Sequence, residues 1–169
     1  MQGLVEDLLL LARLDAGRPL EREPVDLSLL TMDAVSDAHA AAPSHRFELD
    51  LPDEPVEVTG DRARLHQVVA NLLANARTHT PAGTHVVTSL RREGGWVRLS
   101  VVDDGPGVPE PLQRTVFERF TRGDESRNRA HGPTGLGLSI VDAVVASHGG
   151  RVELTSRPGR TDVSVLLPA

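Results

Sequence analysis

Two carboxamides one helical turn apart, Asn71 and Asn75, are the first residues here with a chemical use. In residues 65–80 (LHQVVANLLANARTHT), Leu65, Val68, Val69, Leu72, Leu73 and Ala76 recur at helical period and define a core face. Gln67, Asn71, Asn75 and Thr78 run as a second stripe along its flank. A carboxamide oxygen is a neutral, hard ligand suited to Mg²⁺, which keeps waters and phosphates as its other partners. The plainer alternative is two asparagines on a solvated face. A second group follows a strand-like run: Asp103-Asp104-Gly105-Pro106-Gly107. A carboxylate at a strand end, beside backbone without side chains, can accept from the exocyclic N–H₂ of adenine, where guanine has a carbonyl. An ordinary Asp-Gly turn would look the same. A third group, Thr134-Gly135-Leu136-Gly137-Leu138, opens an apolar helix. Glycines there let phosphate oxygens reach free N–H groups at the positive end of the dipole. No Gly-Lys-Ser/Thr follows, and the run succeeds a loop and not a strand, so neither a P-loop nor a dinucleotide fingerprint is present.

The remaining chain must position these groups. Asp61 is a natural N-cap for the asparagine helix, and Thr80-Pro81 ends it. Upstream, Met1, Leu4, Leu8 and Leu11, widened by Val5, Leu9 and Ala12, form a coiled-coil-like seam of about two heptads that stops at Gly17-Arg18-Pro19. Such a helix needs a hairpin partner or a second chain, or else packs on its own domain. Residues 21–27 are polar and extended around Pro24. Residues 27–42 read as a helix with Leu29, Leu30, Val35 and Ala38 inward. Residues 46–51 alternate as a strand with Phe47, Leu49 and Leu51 on one face, and 56–59 form a second short strand. Residues 85–91 and 96–102 make a hairpin about Glu93-Gly94-Gly95. Residues 111–120 read as a short helix, and 121–133 as a polar, basic loop without periodicity. The helix after the third group stops at His148-Gly149-Gly150, and residues 151–156 and 161–167 form a terminal hairpin about Pro158-Gly159.

Composition narrows the function classes. The 169 residues, 39% hydrophobic and 25% charged, suit one sizeable soluble core. Aromatics are only 2%, so that core is built from Leu, Val and Ala. A net charge of −6 argues against a nucleic-acid backbone as partner, though not against a nucleotide carried with Mg²⁺. Without cysteine there is neither disulfide nor thiolate metal site, and no apolar run reaches membrane-spanning length.

Four segments in this order, NLLANARTHTP, DDGPGVP, FERF and GPTGLGLSIV, resemble the N box, first Gly box, F box and second Gly box of sensor histidine kinase catalytic domains, members of the Bergerat-fold (GHKL) ATPases. The likeness covers roughly residues 25–168, including GDRARLHQVVANLL and ASHGGRVELTSRPG. It implies an α/β two-layer sandwich, with a mixed, mostly antiparallel sheet covered by helices on one face and ATP between the helices and a lid. Carried over by position, Asn75 is the Mg²⁺ ligand and Asn71 its companion near the phosphates, with Thr78 and His79 beside them. Asp103 takes the adenine amine, and Gly105 and Gly107 shape the pocket floor. Phe117 and Phe120 anchor the base of the lid, residues 121–133. Thr134, Gly135, Leu136, Gly137 and Leu138 line the phosphates, and Arg119 or Arg122 reaches the γ-phosphate.

Hydrolytic members of the superfamily carry a general-base Glu four residues before the metal-binding Asn; here that place holds Asn71, which cannot take a proton. Thr78 stands where Lys or Arg is frequent, His79 where an aromatic is common, and Pro133 replaces a frequent Gly. None of the seven histidines lies in the family's phosphoacceptor motif, while LVEDLLLLARLDAG resembles the second helix of the acceptor hairpin. The resemblance therefore implies two parts, residues 1–18 from the dimerisation hairpin and 19–169 as the catalytic domain. It implies a cytoplasmic chain of a homodimeric parent, either soluble or anchored in the cell membrane, that serves a response regulator. The competing readings are a non-catalytic nucleotide-binding scaffold, a gyrase- or chaperone-type ATPase, and a serine kinase.

Overall fold

The computed structural model describes residues 2–118 and 136–169. Twelve elements follow in order among them: α1 (Gln2–Asp15), β1 (Glu23–Asp26), α2 (Leu27–Ala41), β2 (Arg46–Asp50), β3 (Glu57–Gly60), α3 (Arg62–Thr78), β4 (His85–Glu93), β5 (Trp96–Asp103), α4 (Glu110–Gln113), α5 (Gly137–Ser147), β6 (Arg151–Arg157) and β7 (Arg160–Pro168). Five strands form one sheet in the order β2-β4-β5-β7-β6, and β1 pairs with β3 in a separate ribbon. Only the β2–β4 pair of the large sheet is parallel. The architecture is the expected helix-on-sheet sandwich, mixed and mostly antiparallel.

Alternation decides which sheet face carries the core. Val86, Thr88 and Leu90 of β4, Val97, Leu99 and Val101 of β5, and Val163, Val165 and Leu167 of β7 are buried under α2, α3 and α5. The opposite face is laced by charge. Arg98 bridges Glu93 and Glu153, Arg151 also reaches Glu153, and its guanidinium lies 5.0 Å from the centre of the Trp96 ring. The hydroxyls of Ser100 and Ser164 are buried on that face and hydrogen bond to each other.

Helix α3 buries the whole predicted set, Leu65, Val68, Val69, Leu72, Leu73 and Ala76. Its cap is also as expected: Asp61 Oδ1 accepts from the Arg64 N–H at 3.2 Å. The neighbouring backbone N–H of Asp61 donates to Nε2 of the buried His148, whose Nδ1 lies 2.8 Å from the Val144 carbonyl. A carbonyl only accepts, so Nδ1 carries the proton and Nε2 the lone pair. One neutral imidazole thus ties the end of α5 to the start of α3.

Several local expectations are corrected. Leu29 is 53% exposed, because the buried stripe of α2 runs through Leu27, Leu30, Thr31, Ala34, Val35 and Ala38, about 180° from it. The alternating strand is found as expected, as β2, an edge strand on which Leu49 is exposed. The second short strand is Glu57–Gly60, displaced by one residue, since Val56 turns to hydrogen bond with Leu27 and Ser28 at the start of α2. It pairs with the extended stretch around Pro24, now β1. The helix expected over 111–120 is a single turn, Glu110–Gln113, continued through residue 117 as turns. There the Gln113 side chain bonds back to the Val108 carbonyl at 2.8 Å, and β-branched Thr115 and Val116 follow. Helix α1 lies against α5 through Leu10 and Leu11, with Leu4 and Leu14 half-buried, while Val5, Leu8 and Leu9 remain exposed. It packs on its own domain with a face rotated from the predicted seam.

A Cβ on Gly60 would lie 2.6 Å from the His148 ring, which its two hydrogen bonds hold in place. Gly60→Ala is therefore expected to lower stability by about 1–3 kcal/mol, read as a lower urea midpoint with unchanged m-value. An unchanged midpoint would show that the imidazole can yield.

Candidate functional site

The site is assembled along α3. At its middle, the Asn71 amide nitrogen donates to the Gly137 carbonyl at 3.2 Å, joining the asparagine stripe to the start of α5. Because a carbonyl only accepts, this bond fixes the amide orientation and turns the Asn71 oxygen away from α5. Asn75 lies one turn on and is half-buried; its backbone carbonyl accepts from the His79 N–H at 3.1 Å, closing the helix. Thr78 is the last helical residue and His79, at the C-cap, is exposed. From Asn71 to Thr78 the helix rises about 10 Å.

At the far end stands the β5 terminus. Asp103 is only 7% exposed and faces the helices, paired in register with Val86 on β4 and Thr161 on β7. Its Oδ1 accepts from the Gly105 N–H at 3.0 Å. Burial raises the Asp103 carboxyl above its ordinary value, and the charge of Asp104 adds to that rise; the Gly105 N–H and His45 oppose it. A Cβ on Gly105 would lie 2.6 Å from the Thr80 methyl and 2.9 Å from Asp103 Oδ1, so glycine is required there. Gly107 has φ +89°, and a Cβ would lie 2.7 Å from the Arg157 carbonyl. The loop is anchored further by Gly159 N–H to the Gly105 carbonyl at 3.0 Å and by Val108 N–H to Ser156 Oγ at 2.8 Å.

At α5, Leu136 is fully buried and, as N-cap residue, supplies no side-chain hydrogen bond to the helix start. Gly137 has open space where a Cβ would stand, and Leu138 is half-buried. Phe117 is half-buried in the turns after α4. Arg119, Phe120, Arg122, Thr134, Gly135 and the expected lid, 121–133, lie outside the described residues. Sequence reasoning missed Thr80 as more than a stop signal, and missed His45, which stands in no motif. A groove of about 500 Å³ at the end of β5 is lined by His85, Val87, Val102, Asp103, Asp104 and Arg157; Val87 and Val102 point away from the helices.

The arrangement sets a buried acidic acceptor beyond the end of α3 and a helix N-terminus beside the Asn71 amide at its middle. Among the described residues no three His, Cys, Asp or Glu side chains group as a metal cage. A hard cation there would draw on amide oxygens and on the phosphates of a ligand.

Residues 60–169 match the family described as "Histidine kinase-, DNA gyrase B-, and HSP90-like ATPase", and the chain belongs to that family. Within it, the chain is the catalytic domain of a histidine kinase, as its relatives show. The probable sensor histidine kinase TcrY of Mycobacterium tuberculosis is 63% identical over 165 residues, covering 98% of this chain and 35% of that protein. The sensor histidine kinase TrcS of the same organism is 48% identical, covering 99% of this chain and 34% of its own length. The chain thus spans about a third of the curated relatives it matches. Among solved structures, the mycobacterial sensor histidine kinase MprB superposes with a TM-score of 0.74 at 31% identity, over 87% of this chain and 97% of that one. Full-length ShkA in complex with AMPPNP gives 0.79 at 30% identity, over 99% of this chain and 36% of that one.

A raised carboxylate pKa means the native state holds the Asp103 proton more tightly than the unfolded chain. Its contribution to stability therefore falls as pH rises from the unfolded value of 3.8 through the raised native value. Asp103→Asn removes that penalty and keeps the acceptor for Gly105. It is expected to melt at the wild-type temperature or about 1–4 °C above it at pH 7, with the gap closing as the pH approaches 4. A melting point several degrees below wild type would show that the charge supports the fold.

Proposed function

We propose that this chain binds Mg²⁺-ATP along α3 and donates the γ-phosphate to a histidine on a dimerisation hairpin, for relay to a response regulator. The observation that carries this reading is the alignment of three groups on one helix: Asn71 with Gly137 at its middle, Asn75 one turn on, and Gly105 with Asp103 against Thr80 at its end. A nucleotide laid in that direction places its base at Asp103 and its phosphates at the N-terminus of α5. Asp103 accepts from the adenine amine, and Gly105 and Gly107 leave room for the ring. The α5 dipole and N–H groups take phosphate oxygens, helped by Thr134 and Gly135. Asn75 holds Mg²⁺, with Asn71 beside it, and the ion neutralises phosphate charge. Arg119 or Arg122 serves the γ-phosphate, and Phe117 and Phe120 seat the segment between them and α5.

Asn71 cannot deprotonate water, so the site holds the γ-phosphoryl for a nucleophile delivered from outside, and catalysis is positioning with charge neutralisation. That nucleophile is a histidine of the parent. We read residues 1–18 as the second helix of its hairpin and 19–169 as the catalytic domain. The exposed Val5, Leu8 and Leu9 of α1 support this, as an apolar face left for a partner helix.

Calorimetric titration with ATP and GTP, with Mg²⁺ or EDTA, tests the reading. ATP is expected to bind in preference to GTP and to depend on Mg²⁺, with Asp103→Asn weakening ATP about 10- to 100-fold. Absence of binding at millimolar ATP would leave a scaffold.

A second assay addresses transfer. The chain with labelled ATP is expected to show no stable phosphohistidine by itself, and to label a separately supplied acceptor hairpin. Label on this chain alone, or none on the hairpin, would overturn the assignment.

A further inference from the structure

Against Thr80 lies a buried histidine that the proposed mechanism does not use. His45 is 7% exposed and packs nearly parallel to Phe47, ring centres 6.1 Å apart. Its Nε2 is 2.9 Å from Thr80 Oγ1, and the same hydroxyl lies 2.6 Å from the Ala76 carbonyl. The carbonyl only accepts, so the single hydroxyl proton goes to it. The imidazole must then be the donor, and the ring carries its proton on Nε2. The opposite nitrogen, Nδ1, is buried with no hydrogen-bond partner among the described residues. An apolar ring of the same size would fill this space without an orphaned acceptor, so packing alone does not account for a histidine.

Resting on the nucleotide reading above, we propose that His45 is a positioning residue for adenine recognition: its Nε2–H fixes the Thr80 hydroxyl and so sets the wall that holds Gly105 and Asp103. The path is short. With its hydroxyl pinned from both sides, Thr80 presents its methyl to Gly105 so closely that no Cβ could stand between them. Gly105 in turn donates its N–H to the Asp103 carboxylate. Thr80 also ties this turn to the last turn of α3, two residues beyond Thr78, so the base end and the amide stripe are set by one side chain. The bond selects for purine identity, through the aim of Asp103, more than for phosphate affinity.

The test compares ATP and GTP affinities of wild type, His45→Phe, His45→Gln, Thr80→Val and the His45→Phe/Thr80→Val double variant, with folding checked by thermal melts. His45→Phe keeps the ring stack and loses the donor; His45→Gln restores an N–H at the Nε2 position. His45→Phe is expected to weaken ATP binding about 3- to 10-fold and narrow the ATP preference, with His45→Gln within about twofold of wild type. The double variant should be no weaker than Thr80→Val alone. A folded His45→Phe with wild-type affinity and preference overturns the proposal, as does His45→Gln failing as badly as His45→Phe. If His45→Phe does not fold, nitrogen NMR of the wild-type imidazole decides: protonated Nε2 and bare Nδ1 at neutral pH are expected, and the reverse tautomer overturns it. Wild type that binds neither nucleotide overturns the nucleotide reading itself, whereas ATP-selective wild type with unaltered variants removes only His45.

Discussion

The burial of one face of α3 is the constraint on which the rest depends. Leu65, Val68, Val69, Leu72, Leu73 and Ala76 are packed among α2, α5 and the sheet, and they fix the rotation of the helix about its axis. That rotation sets the direction of Asn71 and Asn75 on the adjoining flank. Asp61 and His148 fix the helix at its start, and Thr80 at its end. The polar stripe therefore inherits its precision from apolar packing. A helix held only by propensity would leave the amides free to turn.

Sequence legibility followed from how local each signal is. The core face of α3 was readable in full, because six apolar residues at helical spacing admit one buried side. The Asp61 cap, both long hairpins and the glycine-rich start of α5 were legible for the same reason: cap, turn and helix opening each involve a few adjacent residues. Leu29 was misplaced because an apolar residue on a short helix fits either face until its neighbours are known. The β1–β3 ribbon was missed as a pairing, since its strands are four residues each and separated by a helix and a strand. His45 gave no signal: its meaning arises from Thr80, 35 residues away, and from a tautomer that only the partners determine.

Membership in a family shared by kinases and hydrolysing ATPases puts weight on small differences within a common frame. Asn71 is such a difference. A carboxamide takes no proton at neutral pH, and its N–H₂ donates to the Gly137 carbonyl, joining α3 to the start of α5. Asp103 is a buried carboxyl that accepts from the Gly105 backbone N–H.

Trp96, the sole tryptophan of the chain, lies under the Arg151 guanidinium on the charged face of the sheet, across from the helices. Its indole therefore senses the integrity of the β5–β7–β6 edge. The chain has no tyrosine, so its intrinsic emission follows unfolding from this single reporter on the charged face.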